Sequence, residues 1–431
     1  MEQTEESMEN TSGSQKAGLS ASMRQGWTRR IEAELKGNIL PFWMQHAVDK
    51  VNGGFYGALS NDLRVNNDVP RSAILCARIL WTYSAAQRLF PSDAHLEMAR
   101  HAFDYLTRRF WDQEHGGVYW MLDSQGQLLN DRKHAYVQAF AIYGLSEFYR
   151  ATAEPESLRL AKQLFGLLEK HTHDRVHGGH IEGCGRSWNQ PADMRLSEKE
   201  PDCRKSTNTM LHVMEAYSNL LRVWDAPELR DALAGLIAVH LEHIVDLDSG
   251  HLRLFFDDAW DEISGLDTYD HEVSYGHDIE ASWLLVEAAE VLGDRELLRR
   301  SQAAAVRIAT SALVEGQGRD GRLRATPAAH EQADVEWWVS AEAVVGFYNA
   351  YQLSSLARFA DAARWNWDFI ETYLVDRQHG DWFKWLNRNG QPDATKNKVG
   401  PWECPYHHSR CCFEMLRRLA QAGSQTQTGT P

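Results

Sequence analysis

The 431-residue sequence predicts an all-α fold, a closed (α/α)6 barrel with short β-hairpin loops at one mouth, and two observations carry that prediction. Glycine-rich turns recur at steps of about 60–70 residues, the mark of a repeated supersecondary unit. Between successive turns, one amphipathic helical stretch alternates with one that is apolar almost all round. Six half-exposed helices around six enclosed ones describe two concentric rings. An open-ended α-solenoid built from the same units is the competing architecture.

The elements follow in order. The turns are Gly53-Gly54-Phe55-Tyr56-Gly57, Gly116-Gly117-Val118-Tyr119-Trp120, Gly178-Gly179-His180, Gly250-His251-Leu252, Gly321-Arg322-Leu323 and Gly380-Asp381-Trp382-Phe383. Their aromatic residues favour short β-hairpins. An outer helix is illustrated by 95–109, where Leu96, Ala99, Phe103 and Leu106 recur at three- and four-residue spacing with charge between them. The enclosed helices are read at 72–86, 134–149, 207–223, 277–292, 334–351 and 408–419. A helix apolar on all faces is buried on all faces. All six run the same way, so their N-termini meet at one mouth lined by the hairpins. Residues 1–22 and 422–431 lack periodicity and read as flexible tails around a single domain over 23–421.

Composition narrows the function. Sixty Asp+Glu against 45 Lys+Arg give a formal charge of −15, which disfavours nucleic acid and anionic membrane as partners. No charge-free apolar run is long enough to span a membrane, and the acidic, polar N-terminus is unlike a signal peptide; a cytoplasmic address is expected. Six cysteines without a C-x-x-C pair support neither a disulfide scaffold nor a structural zinc site. Sixteen tryptophans are more than a generic core needs, and a sugar- or ring-binding cleft would use them.

Polar residues near the starts of the enclosed helices are Arg78, Tyr136, Asn208, His212, Glu215, His277, Glu280, Glu336, Trp338 and His407. Asn208, His212 and Glu215 are spaced i, i+4, i+7 and share one helix face; His277 and Glu280 are i, i+3 neighbours. A lone histidine on an apolar helix is an ordinary core residue, but three at equivalent positions of three repeats point to a site. Arg78 within an apolar stretch needs a partner: it either bridges repeats through Glu280 or Glu336 or binds a substrate hydroxyl. Trp338 and Trp402 are either packing or platforms for sugar faces. His171, His173, His177 and His180 fall at a helix end and a turn without a completing carboxylate set, so they read as a solvated loop. No dinucleotide fingerprint, P-loop or nucleophile elbow occurs.

Several segments together resemble a known family: 274–280 (Ser-Tyr-Gly-His-Asp-Ile-Glu), 404–407 (Cys-Pro-Tyr-His), 211–217 (Leu-His-Val-Met-Glu-Ala-Tyr), 52–57 and 77–82. They are similar, from about Ile39 to Leu416, to the cellobiose 2-epimerase branch of the N-acylglucosamine 2-epimerase superfamily, whose fold is the (α/α)6 barrel. The resemblance implies His277 and His407 as the acid/base pair, His212 assisting ring opening, and Glu280 orienting His277. It implies that Arg78, Tyr136 and Asn208 hold substrate hydroxyls and that Trp338 and Trp402 stack on sugar rings; Glu215, on the helix face it shares with Asn208 and His212, is expected in the same substrate-binding set. Asp202 aligns poorly with a sugar-contacting loop residue. His408 stands where the family usually has Asn, which bears on the second sugar ring.

The residue types suit that chemistry. Epimerising C2 of an aldose removes the proton alpha to the aldehyde, forms a cis-enediolate and returns a proton to the opposite face. Two bases on opposite faces are required, and histidine titrates in the right range. Arg78 near the enediolate oxygen would stabilise developing charge. No metal or organic cofactor is called for, and the expected partner is a β-1,4-disaccharide or free mannose or glucose, bound by a monomer or homodimer. The alternatives are an aldose–ketose isomerase using the same enediolate, an inverting glycosidase using Glu280 and Glu336, and a non-catalytic sugar- or protein-binding toroid.

Overall fold

A computed structural model describes residues 19–427, apart from 192, 199, 264–272, 328–334 and 388. The enclosed helices are α3 (Ala73–Leu89), α5 (Ala135–Thr152), α7 (Thr207–Leu221), α9 (Tyr275–Leu292), α11 (Trp337–Ser354) and α13 (Tyr406–Gln427). The outer ring begins with α1 (Ala21–Glu34) and α2 (Leu40–His46), joined by a π-helical turn at Leu35–Ile39. It continues with α4 (Asp93–Tyr105), α6 (Pro155–His171), α8 (Pro227–Val239), α10 (Arg295–Gly316) and α12 (Ala357–Phe369). Each enclosed helix packs on the next, and α13 returns to pack on α3. That contact closes the ring and makes the molecule an (α/α)6 barrel rather than a solenoid.

Among the described residues, short strands pair from one unit to the next over the helix ring. Arg71–Ser72, at the entry to α3, pairs with Met121–Leu122 of the next unit. Lys133–His134 pairs with Gly183–Cys184, Lys205–Ser206 with Phe255–Phe256, and Val335–Glu336 with Trp385–Leu386 in the same manner. Asn397–Val399, ahead of α13, pairs with Ala58–Ser60 of the first unit. The residue leaving four of these strands or loops caps the helix that follows: Ser72, His134, Ser206 and Ser274 accept backbone N–H groups from the first turns of α3, α5, α7 and α9.

One ion pair recurs at the turns. Asp112 accepts the amides of Glu114 and His115, and Lys133 of the following strand reaches it at 3.0 Å. Asp174 and Lys205 repeat the arrangement at 2.8 Å, and Asp49–Arg71 and Asp376–Lys398 complete the set. Gly117 and Gly179 have φ of +80° and +76°, with Trp188 and Trp260 packed where a Cβ would stand, so only glycine fits these two turns.

The tail boundaries differ from the sequence expectation. Helix α1 already begins at Ala21, because Ser20 caps it by accepting from the Met23 amide and Leu19 N–H donates to the Tyr351 hydroxyl. Helix α13 runs on to Gln427, through much of the expected 422–431 tail. Residues 1–18 and 428–431 lie outside the described residues. Among those described, no helix is long and apolar enough to cross a membrane.

Candidate active site

A cavity of about 1020 Å³ opens at the mouth where the enclosed helices begin, and Arg78, Tyr136, Asn208, His212, His277, Glu280, Glu336, Trp338, Trp402 and His407 all line it. The residues read from the helix starts therefore converge, with the exception of Glu215. Pro191, Asp193 and residues 195–198 of the rim loop, with Trp120 and Trp385, build much of the remaining wall.

His277 sits in the first turn of α9. Its Nδ1 lies 2.8 Å from Ser274 Oγ, the atom that also caps the helix. The Trp338 ring covers it at 5.1 Å between centroids and reaches His407 at 5.6 Å. Trp338 is fixed by donating from Nε1 to Glu336 at 2.6 Å, and it lies over Gly276, where a Cβ would come within 2.5 Å of the indole. Two imidazoles from two different enclosed helices thus flank one indole in the cavity. Burial pushes His277 down to about 4, with His212 adding to the effect. Burial, followed by the charges of Arg78 and Arg410, takes His407 well below the ordinary histidine value. Both rings are neutral at pH 7, the form a general base requires.

Behind the histidines lies a buried charge cluster. Arg410, on α13, donates to Glu215, Glu280 and Glu342, the last at 2.7 Å. Glu342 also takes the Trp283 indole N–H at 3.0 Å and faces His407 Nδ1 at 2.7 Å. Glu215 faces His212 Nδ1 at 2.9 Å and accepts the Tyr406 hydroxyl. Although burial works against it, Arg410 and His212 hold Glu215 at about 2. Burial and the neighbouring Glu342 raise Glu280 to about 7. The oxygens and nitrogen of Glu280, Glu342 and His407 come within 4.8 Å of one another, a spacing that would suit a metal ion. The guanidinium of Arg410 bonds both carboxylates, so a cation already belongs to this donor set.

Three expectations are corrected here. Glu215 does not line the cavity; it stands behind His212 as the acceptor for Nδ1. Glu280 is engaged by Arg410 and lies 3.8 Å from His407, while the partner of the His277 ring is Ser274. His408 turns away from the cavity, donating from Nε2 to Asp381 at 2.8 Å against Trp382, because its position on α13 faces the outer layer. Asp202 braces the rim loop by accepting the Met194 amide.

Arg78 bridges to neither Glu280 nor Glu336. Its guanidinium donates to the Tyr136 hydroxyl at 2.8 Å and to Cys404 Sγ at 3.5 Å, and it stacks on Phe140 at 4.2 Å. Among the described residues no carboxylate pairs with it. A buried cation on the cavity wall with only neutral neighbours is suited to an oxyanion. Glu342, Arg410 and Ser274 were not singled out in the sequence, although Glu342 and Arg410 carry the signal that marked Arg78, a charge within an apolar helix. His173 and His180 face Glu169, and His177 faces Asp174, away from the cavity.

Residues 54–411 match the N-acylglucosamine 2-epimerase (GlcNAc 2-epimerase) family. The chain is 44% identical over 395 residues to the cellobiose 2-epimerase of Bacteroides fragilis, covering 90% of this chain and 98% of that one. It is 38% identical over 390 residues to that of Ruminococcus albus, with the same coverage. The solved cellobiose 2-epimerase of Bacillus thermoamylovorans superposes with a TM-score of 0.85 at 38% identity, over 91% of this chain and 100% of the other.

Proposed function

This chain belongs to the N-acylglucosamine 2-epimerase family and is a sugar 2-epimerase, and on that premise we propose that it acts on the reducing-end glucose of a β-1,4-disaccharide such as cellobiose. The observation that carries this reading is the pair His277 and His407, on separate helices, flanking Trp338 on one cavity. The relatives named above, all cellobiose 2-epimerases, support the substrate. The half-buried Trp402, 5.9 Å from Tyr136 on the same wall, supports a second sugar ring by stacking.

In this reading His212, with Nδ1 tied to Glu215, moves the proton between O5 and O1 that opens the hemiacetal. One of His277 and His407 removes the C2 proton through its free Nε2. Negative charge then builds on the aldehyde oxygen, where Arg78 and Tyr136 stand ready to donate. The second histidine, protonated from solvent that enters by the mouth, delivers its proton to the opposite face of the planar enediolate at C2, and the first then releases the proton it took back to solvent. Each imidazole is base in one direction and acid in the other.

Incubation with cellobiose in D2O tests this. The expected product is 4-O-glucosyl-mannose carrying deuterium at C2, seen by chromatography and NMR. His277→Asn and His407→Asn should each lose about 10²–10⁴ in turnover. A ketose product reassigns the chain to isomerisation, and release of glucose reassigns it to hydrolysis; a product without deuterium at C2 overturns the two-base route.

A further inference from the structure

The charge cluster beneath the site does more than fill space, because every carboxylate on Arg410 also touches an acid–base group or the cavity. The chemistry of each partner fixes its proton. A guanidinium in a protein does not lose its proton, so the Glu342 oxygen that faces Arg410 is an acceptor. That same oxygen, Oε1, lies 2.7 Å from His407 Nδ1. With Glu342 ionised, Nδ1 carries the hydrogen of the neutral ring, and Nε2 keeps its lone pair. Were Glu342 to take a proton, its hydroxyl would donate to Nδ1, the hydrogen would move to Nε2, and His407 could no longer act as a base.

We propose that Arg410 is a positioning residue that holds His407 in its basic tautomer by keeping Glu342 ionised, and that it acts on His212 through Glu215 in the same way. This deepens the two-histidine reading above and rests on it. The pair on the far side obeys the same logic: Glu215 accepts from Arg410 and from Tyr406, and offers Oε2 to His212 Nδ1 at 2.9 Å. The guanidinium is itself braced by the rings of Tyr406 and Trp283, at 4.2 and 4.8 Å.

The proposal needs every charge near Glu342 to be weighed. Helix α3 contributes Arg78, α7 contributes His212 and Glu215, α9 contributes Glu280, and α13 contributes Arg410 itself with His407 and His408. Burial raises Glu342, Glu215 acts in the same direction, and Arg410 is the largest influence opposing them. Without the guanidinium, two or three carboxylates would face one another in a dry core and would hold protons to higher pH. Activity that requires ionised Glu342 would then start at higher pH.

Two readouts separate this role from simple packing, and from the function itself. Protein labelled with 15N-histidine reports the tautomer of His407 directly, the His407→Asn variant identifying its signals. In the wild type at pH 7.5 the expected state is Nδ1–H; an Nε2–H ring there overturns the proposal whether or not cellobiose is turned over. In Arg410→Met the His407 signals should move towards Nε2–H, kcat on cellobiose should fall at least about 30-fold with KM changed less than about threefold, and the acid limb of kcat should move up by at least about one pH unit. Arg410→Lys, which restores charge without the fork, should return the limb to within about half a pH unit. Should the methionine variant fail to fold, Glu342→Gln replaces it and is expected to lose the Nδ1–H bias and the acid limb assigned to that carboxyl. An unmoved tautomer and limb in the charge-removing variant, or equal behaviour of lysine and methionine at 410, would show that Arg410 only packs. Wild-type protein inactive on cellobiose but with the predicted tautomer shift would leave the positioning role standing and remove the assigned substrate.

Discussion

His407 and His408 are consecutive in α13 and serve different layers of the molecule. The first opens on the cavity; the second is fully buried, with Nε2 on Asp381 and Nδ1 without any hydrogen-bond partner. A proton added at Nδ1 has nothing to accept it, and burial, with Lys384 beside it, lowers His408 to about 4. The sign of the linkage follows. The folded value lies below the ordinary one, so the unfolded chain takes up the proton first, and this residue's contribution is complete above about pH 6.5 and lost as the pH falls towards 4. The amount is about 3 kcal/mol. His408→Asn should therefore flatten the fall in stability between pH 6.5 and 4, read by urea unfolding across that range, while lowering stability at pH 7. Because the ring is outside the cavity, the ratio of kcat/KM for cellobiose over mannose should stay within about twofold. A marked shift in that ratio would return His408 to the substrate site.

At the scale of the element, the repeated unit is a turn aspartate, a hairpin and a cation on the next strand. The copies are not equivalent. Asp112 has both Lys133 and Arg186, the latter at 3.1 Å, whereas Asp376 has one permanent cation, Lys398, which also donates to the Gly380 carbonyl at 2.6 Å, and the His379 ring at 3.5 Å. Removing one partner of a buried pair costs about 3–5 kcal/mol because the other charge is stranded. Lys398→Met should fall in that range by urea unfolding, and Lys133→Met should cost at least about 1 kcal/mol less, since Arg186 still neutralises Asp112. Equal losses would mean that Arg186, whose side chain is 37% exposed, contributes nothing. These units were legible in the sequence because the turn glycines admit no substitute and the enclosed helices lack a polar face. The π-helical turns at Leu106–Phe110, His240–Ile244 and Ile370–Leu374 were not, since widening a helix by one residue leaves apolar spacing almost unchanged. The cavity residues were legible as helix-start positions. Their partners were not: whether Glu280 meets His277 or Arg410 depends on the rotation of α9 against α13, which no local pattern in either helix encodes.

Across the whole molecule, a closed ring differs from a solenoid in that a displacement at one seam has no free end to escape through. The seam between α9 and α11 tests this. At Gly346 a Cβ would stand 2.5 Å from the carbonyl oxygen of Ile279, a residue lying between His277 and Glu280 in α9. Backbone cannot swing aside like the end of a side chain, so Gly346→Ala must push α9 and α11 apart. The expected cost is about 1–3 kcal/mol of overpacking, and, because the pushed segment carries His277 and Glu280, a fall in kcat on cellobiose out of proportion to the fraction unfolded. Gly166→Ala is the matched control. It is exposed within α6, with nothing within 4 Å of the added carbon, and alanine there should raise stability by about 0.5–1 kcal/mol through helix propensity alone, with kcat unchanged. Urea unfolding and turnover measured on the two variants decide the matter. If Gly346→Ala loses stability but keeps full kcat, the seam absorbs the displacement locally, and the precision of the site comes from the Arg410 cluster rather than from closure of the ring.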